Sequence, residues 1–303
     1  MKKHAYIILA HHAPDVLRTL LRMIRDPRND VFLHVDSRTH ALDGVLDELR
    51  ARKDVTILPR LPVRWGALSI VRAELAALDF VRRQGGYSRY HILSGVDLPL
   101  QGQDFIHACC DIENPDREFV GFYPAEKYPP FTDIRLFFME QYALDNAVLR
   151  KPLTAFREAA RVFQQVFRLK RTWAMEVRNG DQWASLTEPA VDYLLSRRRE
   201  ILKTFRWTFC PDEMFIQTFL TASPLRARLF DAEGRPNGCK REIDWISEGL
   251  RNGHPHTWTM DDLPRLAASK NFFARKFPAD NPELIRAVET MVSKRCAEEA
   301  GKS

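Results

Sequence analysis

The chain has 303 residues, 45% hydrophobic and 28% charged, with a formal charge of +6. That balance excludes a disordered or fibrous chain, and no apolar run reaches the ~20 residues a membrane-spanning helix needs. Five cysteines, two of them neighbours (Cys109 and Cys110) and none in a C-x-x-C pair, argue against a disulfide framework and against a zinc or dithiol motif.

The opening MKKHAYIILAHH has the basic head of a signal peptide, but its apolar stretch, 5–10, is too short and ends in His11 and His12. It reads as a first strand, and a reducing, cytoplasmic setting is expected. AYIILAH, VFLHVD, VTILP, YHILSG and EFVGFYP are strand patterns; helical patterns lie between them over 13–25, 42–52, 66–84 and 103–112. The alternation predicts a largely parallel sheet covered on both faces, an α/β fold of the nucleotide-binding type. Ligands in such sheets sit beyond the carboxyl ends of the strands. Those ends are polar here, with His11 and His12 after the first strand, Asp36 closing the second, and Ser94, Gly95 and Asp97 after the fourth.

The middle of the chain carries an aromatic, proline-rich loop (YPAEKYPPFTD), then a basic helical segment, 152–171, with Phe156, Ala160, Phe163 and Phe167 at helical spacing. Such a stripe packs into a core or, in a basic amphipathic helix, lies on a membrane surface; the core is the expectation. Sheet signals return over 182–186, and helices are predicted over 188–203, 211–221 and 282–298.

No G-x-G-x-x-G, Walker or G-x-S-x-G motif is present, which disfavours dehydrogenase, P-loop kinase and serine hydrolase. A nucleotide-sugar transferase fits the architecture, yet no two aspartates are separated by two positions, as a metal-binding Asp-x-Asp pair would be. Cations in KNFFARKF, Arg275 and Lys276, could neutralise a leaving diphosphate instead; alternatively they form a solvated basic turn. In CPDEMFIQTFL, Asp212 and Glu213 follow Pro211 and precede an apolar run. They could hold a helix start against its dipole or carry acid–base chemistry. His11, His12, Asp36 and Asp97 could together ligate a metal, as in a hydrolase; His254 and His256 flank a proline and could also be ligands.

HVDSRT, VRWGALSIVRAEL, YHILSGVDLPL, GDQWASL, CPDEMFIQTFL, REIDW and FFARKF occur in the order in which they stand in a known family. Over Tyr6 to about Phe277 the chain resembles the core-2 and I-branching β-1,6-N-acetylglucosaminyltransferases and the peptide O-xylosyltransferases. The resemblance implies a GT-A-type fold, an inverting mechanism, a UDP-sugar donor and no required metal or other cofactor. It implies that Glu213 is the catalytic base, ionised and aimed by a helix start, with Asp212 capping or orienting beside it on the acceptor side. Lys276 would bind the diphosphate, with Arg275 or Arg241 as its partner. His11, Asp36, Trp65, Gly95 and Asp97 would line the nucleotide and donor pocket, and Trp183 would meet the acceptor.

The expected organisation is a transferase domain over 1–277, with a nucleotide-sugar half (1–125) and an acceptor and catalytic half (126–277), then a C-terminal helix and tail over 278–303. The expected function is transfer of GlcNAc or xylose to a carbohydrate, glycolipid or peptide hydroxyl in bacterial surface-glycan synthesis. The expected place is the cytoplasm, with peripheral membrane contact through 152–171 as the alternative to core packing of that helix, and nucleic acid is not an expected partner. The rivals are a non-catalytic carbohydrate- or polyanion-binding module and the metal-dependent hydrolase.

Overall fold

The computed structural model describes residues 2–123, 133–141, 147–232, 238–245 and 254–301; nearly all of the proline-rich loop lies outside the described residues. Strand and helix alternate as β1 (His4–Ala10), α1 (Pro14–Met23), β2 (Asn29–Val35), α2 (Asp43–Arg50), β3 (Val55–Ile57), α3 (Leu68–Gln84) and β4 (Arg89–Ser94). β1 runs parallel to β2 along one edge and to β4 along the other, and β3 extends the parallel set beyond β2. With partners on both edges and helices on both faces, β1 is buried almost throughout, which is why its sequence is continuously apolar rather than alternating.

Next come β5 (Leu98–Pro99), α4 (Gln103–His107), which continues as a π-helix to Glu113, and β6 (Phe119–Val120). The later elements are α5 (Ala147–Val166), β7 (Ala184–Leu186), α6 (Glu188–Ser196), α7 (Arg198–Thr204), α8 (Phe215–Thr221), β8 (Arg241–Ile243), α9 (Leu263–Ala268), β9 (Phe273–Arg275) and α10 (Pro282–Ala300). The main sheet has the order β3-β2-β1-β4-β7-β6. β7 lies antiparallel between β4 and β6, so the EFVGFYP strand does not join the parallel set. A second, small sheet, β5-β9-β8, holds the REI and FAR segments side by side. The helix predicted over 188–203 is two helices, α6 and α7.

Alternate side chains of β1 feed two apolar cores. Tyr6 and Ile8 point toward α1, α2 and α10, packing with Leu17, Leu46, Phe272 and Leu284. Ala5 and Ile7 point toward α3, α6 and α8, packing with Leu78, Val191 and Phe219. Truncating one of these fully buried aliphatic side chains to alanine costs roughly 2–5 kcal/mol. Among the described residues no helix is long and apolar enough to cross a membrane, and all five cysteines are free thiols.

Candidate active site

Because β1, β2 and β4 run the same way, their carboxyl ends open on one edge of the sheet, and a cavity lies there. Ala10 closing β1 and His11 after it, His34 on β2 and Asp36 after it, and Ser94 closing β4 form one side. Asp181, Gln182 and Trp183 before β7, then Asp212, Glu213 and Arg275, form the other, and Trp65, Trp245 and His254 frame it.

The acidic pair is not at an α-helix start. Cys210 sits in the left-handed region at φ 45°, Pro211–Glu213 make a single 3-10 turn, and Met214 at φ −136° breaks the path before α8 begins at Phe215. A left-handed non-glycine residue costs on the order of 1 kcal/mol or more, so the neighbouring structure must hold this turn. Gly66 does part of that: the Cys210 amide donates to its carbonyl at 3.0 Å, and a Cβ there, at φ 71°, would stand 2.6 Å from the Phe209 ring. From the other side the Gly180 amide donates to the Glu213 carbonyl at 2.9 Å. A Cβ on Gly180 would lie 1.9 Å from the Gly121 carbonyl oxygen, so only glycine fits here against the strand-end backbone while its amide holds the acidic turn.

Cys210, at the head of this turn, makes no side-chain cap bond. Asp212 is buried with its Oδ1 lacking a partner among the described residues. Burial raises its carboxyl well above the usual range, with Arg275 pulling the other way. Glu213 is also raised, by burial first and then by the charges of Asp212 and Asp181. Glu213 thus stands in its own 3-10 turn just before Met214 and α8, not inside the first turn of an α-helix, and burial with its acidic neighbours pushes its carboxyl up. For proton abstraction that is useful, since a carboxylate with a raised pKa is the stronger base near neutral pH.

Arg275 reaches the cavity from β9. Its guanidinium lies 4.5 Å over the Trp183 ring and its Nη1 3.7 Å from Asp97 Oδ1. Lys276 is half-buried and is not one of the lining residues; its charge, with that of Arg275, adds to partial burial and the charge of His11 in holding His12 down to about 4. Both cations thus stand by the end of β1. Arg241 does not: it is fully buried and spends its donors on Ser185 Oγ and on the carbonyls of Ile92, Ala184 and Cys239.

The donor-side residues divide. His11 and Trp65 line the cavity, and Trp65 is 62% exposed against Phe209 and His254. Asp36 lines it too, with Oδ1 accepting from the amides of Arg38 and Val63. Gly95 and Asp97 are not lining residues. Gly95 lets β4 close on β1, since its Cβ would come 2.7 Å from that of Ala10. Asp97 is fully buried, pushed up to about 6 by burial against the pull of Arg275, and accepts from the Ser94 amide at 2.9 Å. Its place is beneath the site, behind Arg275.

The proposed hydrolase ligands are not gathered. Among the described residues the one group of three His, Cys, Asp or Glu with ligand atoms within 4.8 Å of each other is His4, His107 and Asp111, at the opposite end of β1. His256 pairs with Asp262 at 2.9 Å.

A family model, "Core-2/I-Branching enzyme", matches residues 4–268. The chain belongs to the Core-2/I-Branching enzyme family. This family member is 26% identical over 297 residues to "Xylosyltransferase oxt" of Drosophila melanogaster, covering 89% of this chain and 31% of that protein. It is 24% identical over 307 residues to "Xylosyltransferase 2" of Mus musculus, covering 94% of this chain and 33% of that protein. The chain thus spans about a third of the length of these curated relatives. Among solved structures, S. aureus TarS aligns at 12% identity and a TM-score of 0.30, over 97% of this chain and 54% of the other. TarS 1-349 in complex with UDP also gives 12% and 0.30, over 99% and 91%. Scores this low carry no assignment.

In this Core-2/I-Branching family member, sequence reasoning missed Asp181, Trp245 and Glu74. Asp181 Oδ1 accepts from Tyr123 Oη at 2.9 Å and Trp245 Nε1 at 3.0 Å, which fixes its carboxylate at the cavity wall. Glu74, fully buried on α3, accepts from Gln182 Nε2, lies under the charge of Asp212 and is itself pushed well up by burial. Asp181 and Trp245 stand inside the GDQW and REIDW motifs, so a signal was there. Glu74 carried none, reading as an ordinary charge on an amphipathic helix.

Proposed function

We propose that the cleft transfers a sugar, GlcNAc or xylose, from a UDP donor to a hydroxyl acceptor with inversion, on a fold of the GT-A type. The observation that supports this best is the meeting, in one cavity, of an acidic pair with raised pKa values and an arginine braced on Trp183 and Asp97. The acceptor oxygen attacks the anomeric carbon from the face away from the diphosphate. As that bond forms, the bond to UDP breaks, Glu213 takes the hydroxyl proton, and the departing diphosphate is met by Arg275 and Lys276. Asp181 and Trp183 lie where an acceptor would pack against the acidic turn.

The fixed cations supply the charge that a divalent metal supplies in other sites, so turnover is expected to need none. The same reading places the protein in the cytoplasm of a bacterium, building a surface glycan. The test is transfer or donor hydrolysis across UDP-GlcNAc, UDP-xylose and UDP-glucose in excess EDTA. Turnover of one donor supports the reading. Complete loss in EDTA, restored by a divalent ion, removes its metal-free step, and binding of UDP-sugars without turnover favours a non-catalytic binding module.

A further inference from the structure

Helix α5 is mounted inside out. Its polar side faces the body of the protein: Gln164 brackets the backbone of Arg135, donating from Nε2 to the carbonyl at 3.0 Å and accepting from the amide at 2.9 Å. Arg157 on the same side is only 10% exposed and reaches Met139 Sδ at 3.8 Å. Its apolar side is largely exposed; among the described residues Phe156 alone meets a ring from outside the helix, that of Phe138, edge-on at 5.5 Å. Phe156 and Phe163 are each 55% exposed, Val166 is 68% and Phe167 62%. The Phe167 amide donates to the Phe163 carbonyl at 3.0 Å, so the helical path carries this stripe one residue past the helix end. At the helical angle per residue, Phe156, Phe163 and Phe167 fall within an arc of roughly 40°. The core packing expected of this stripe is therefore wrong: the helix is amphipathic, but the face that would normally be buried is the one presented.

Single exposed apolar residues are ordinary, whereas a contiguous aromatic stripe marks a surface that meets something. The charge around it says what. Of the seven Lys or Arg in 147–171, Arg157 turns toward the body, Arg161 pairs with Glu158 and Arg171 bonds to Thr208, which leaves Arg150, Lys151, Arg168 and Lys170. Arg150 and Lys151 near one end of the helix and Arg168 and Lys170 past the other are exposed, Lys170 within 3.5 Å of the exposed Asp133, so cations frame the stripe at both ends.

We propose that this face docks on an anionic lipid bilayer, the phenylalanines entering the headgroup boundary and the flanking cations meeting lipid phosphates. The same charge disfavours a second copy of the chain as the occupant, since two such faces would oppose like charges. The proposal gives a surface and a partner to the membrane contact that the sequence left as the alternative to core packing, and it stands whether or not the cleft transfers sugar.

The test is flotation of the full chain with vesicles of phosphatidylcholine alone and of phosphatidylcholine mixed with phosphatidylglycerol. Binding is expected only to the anionic vesicles and to weaken as salt is raised. Phe163→Ser with Phe167→Ser should lower the partition at least about tenfold, while Arg168→Gln with Lys170→Gln should lower it less and flatten its salt dependence. The altered side chains face water, so circular-dichroism melting should be unchanged. Failure to bind either vesicle, equal binding to both, or insensitivity to both double variants overturns the proposal. So does self-association without lipid that the phenylalanine variant abolishes, which would give the face to a second copy.

Discussion

The two ends of β1 are both polar and buried, yet they are built to opposite rules. At the amino end a chain of hydrogen bonds runs unbroken from a guanidinium to a carboxylate, with Arg241 Nε and the neighbouring His107 Nδ1 left without a hydrogen-bond partner among the described residues. Arg241 donates to Ser185 Oγ at 2.8 Å, Ser185 to His91 Nδ1 at 2.7 Å, His91 Nε2 to His4 Nδ1 at 3.1 Å, and His4 Nε2 to Asp111 at 3.1 Å. The direction follows from the ends, since a guanidinium can only donate and a carboxylate only accept. At the carboxyl end Asp212 Oδ1, Asp97 Oδ1 and Glu74 Oε2 have no hydrogen-bond partner among the described residues. A buried network that satisfies itself makes a core rigid and unique. One left open costs stability and is kept where a ligand or a reaction uses it.

The sharpest way to break this contrast is at the open end. Glu213→Gln should cut sugar transfer at least ~100-fold with UDP affinity kept, as for loss of a general base. Near-normal turnover would put the acidic turn on the same structural footing as the histidines. In the wild type, turnover should rise with pH through the raised carboxyl range of Glu213, because only the ionised form can accept the proton.

How much of this contrast was legible in the sequence depends on length scale. β1, β2 and β4 are long apolar runs, and the polar residues after them pointed to the edge of the sheet where the cavity lies. The β5-β9-β8 sheet has strands of two or three residues, too short for any periodicity, so the neighbourhood of Arg275 could not be read. Nothing in SGVD distinguishes Ser94, which lines the cavity, from Asp97, three residues on and wholly buried. Nor can spacing show that Cys210 turns left-handed and that Met214 severs the acidic turn from α8. The phenylalanine stripe of α5 was seen, but periodicity reports that a face exists and not whether anything covers it.

At the closed end the prediction is the converse. His91→Ala removes a fully buried ring and leaves Ser185 and His4 with unmet hydrogen bonds, which should cost ~3 kcal/mol of stability and lower the melting temperature. Transfer by the folded fraction should be near wild type at permissive temperature. A large loss of turnover with intact stability would mean that the histidine chain serves the chemistry. A smaller effect is expected at the cations. Lys276→Ala should weaken UDP by roughly tenfold, the scale of one charge-assisted hydrogen bond, and uridine hardly at all; titration calorimetry with both ligands separates the two. Equal losses would remove Lys276 from the diphosphate and leave Arg275 alone there.

The smallest effect tests the titration logic itself. His4 and His91 are held below the ordinary histidine value by burial, and His107 is lowered to about 4. Depressed histidines contribute stability that is present above ~6.5 and lost as pH falls toward ~4. The cleft carboxylates run the other way. With folded pKa values raised, as in Asp97 at about 6 and in Asp212, they cost nothing at low pH and progressively more as pH rises past the ordinary carboxylate range. Asp212→Asn should therefore melt higher than wild type at about pH 8, by on the order of 1 kcal/mol of stability, and the gain should vanish at about pH 4, where both side chains are neutral. A variant less stable than wild type at every pH would show that Asp212 holds the turn together. In that case the open end would be open in hydrogen-bond count alone, and its difference from the histidine end would lie only in which groups titrate.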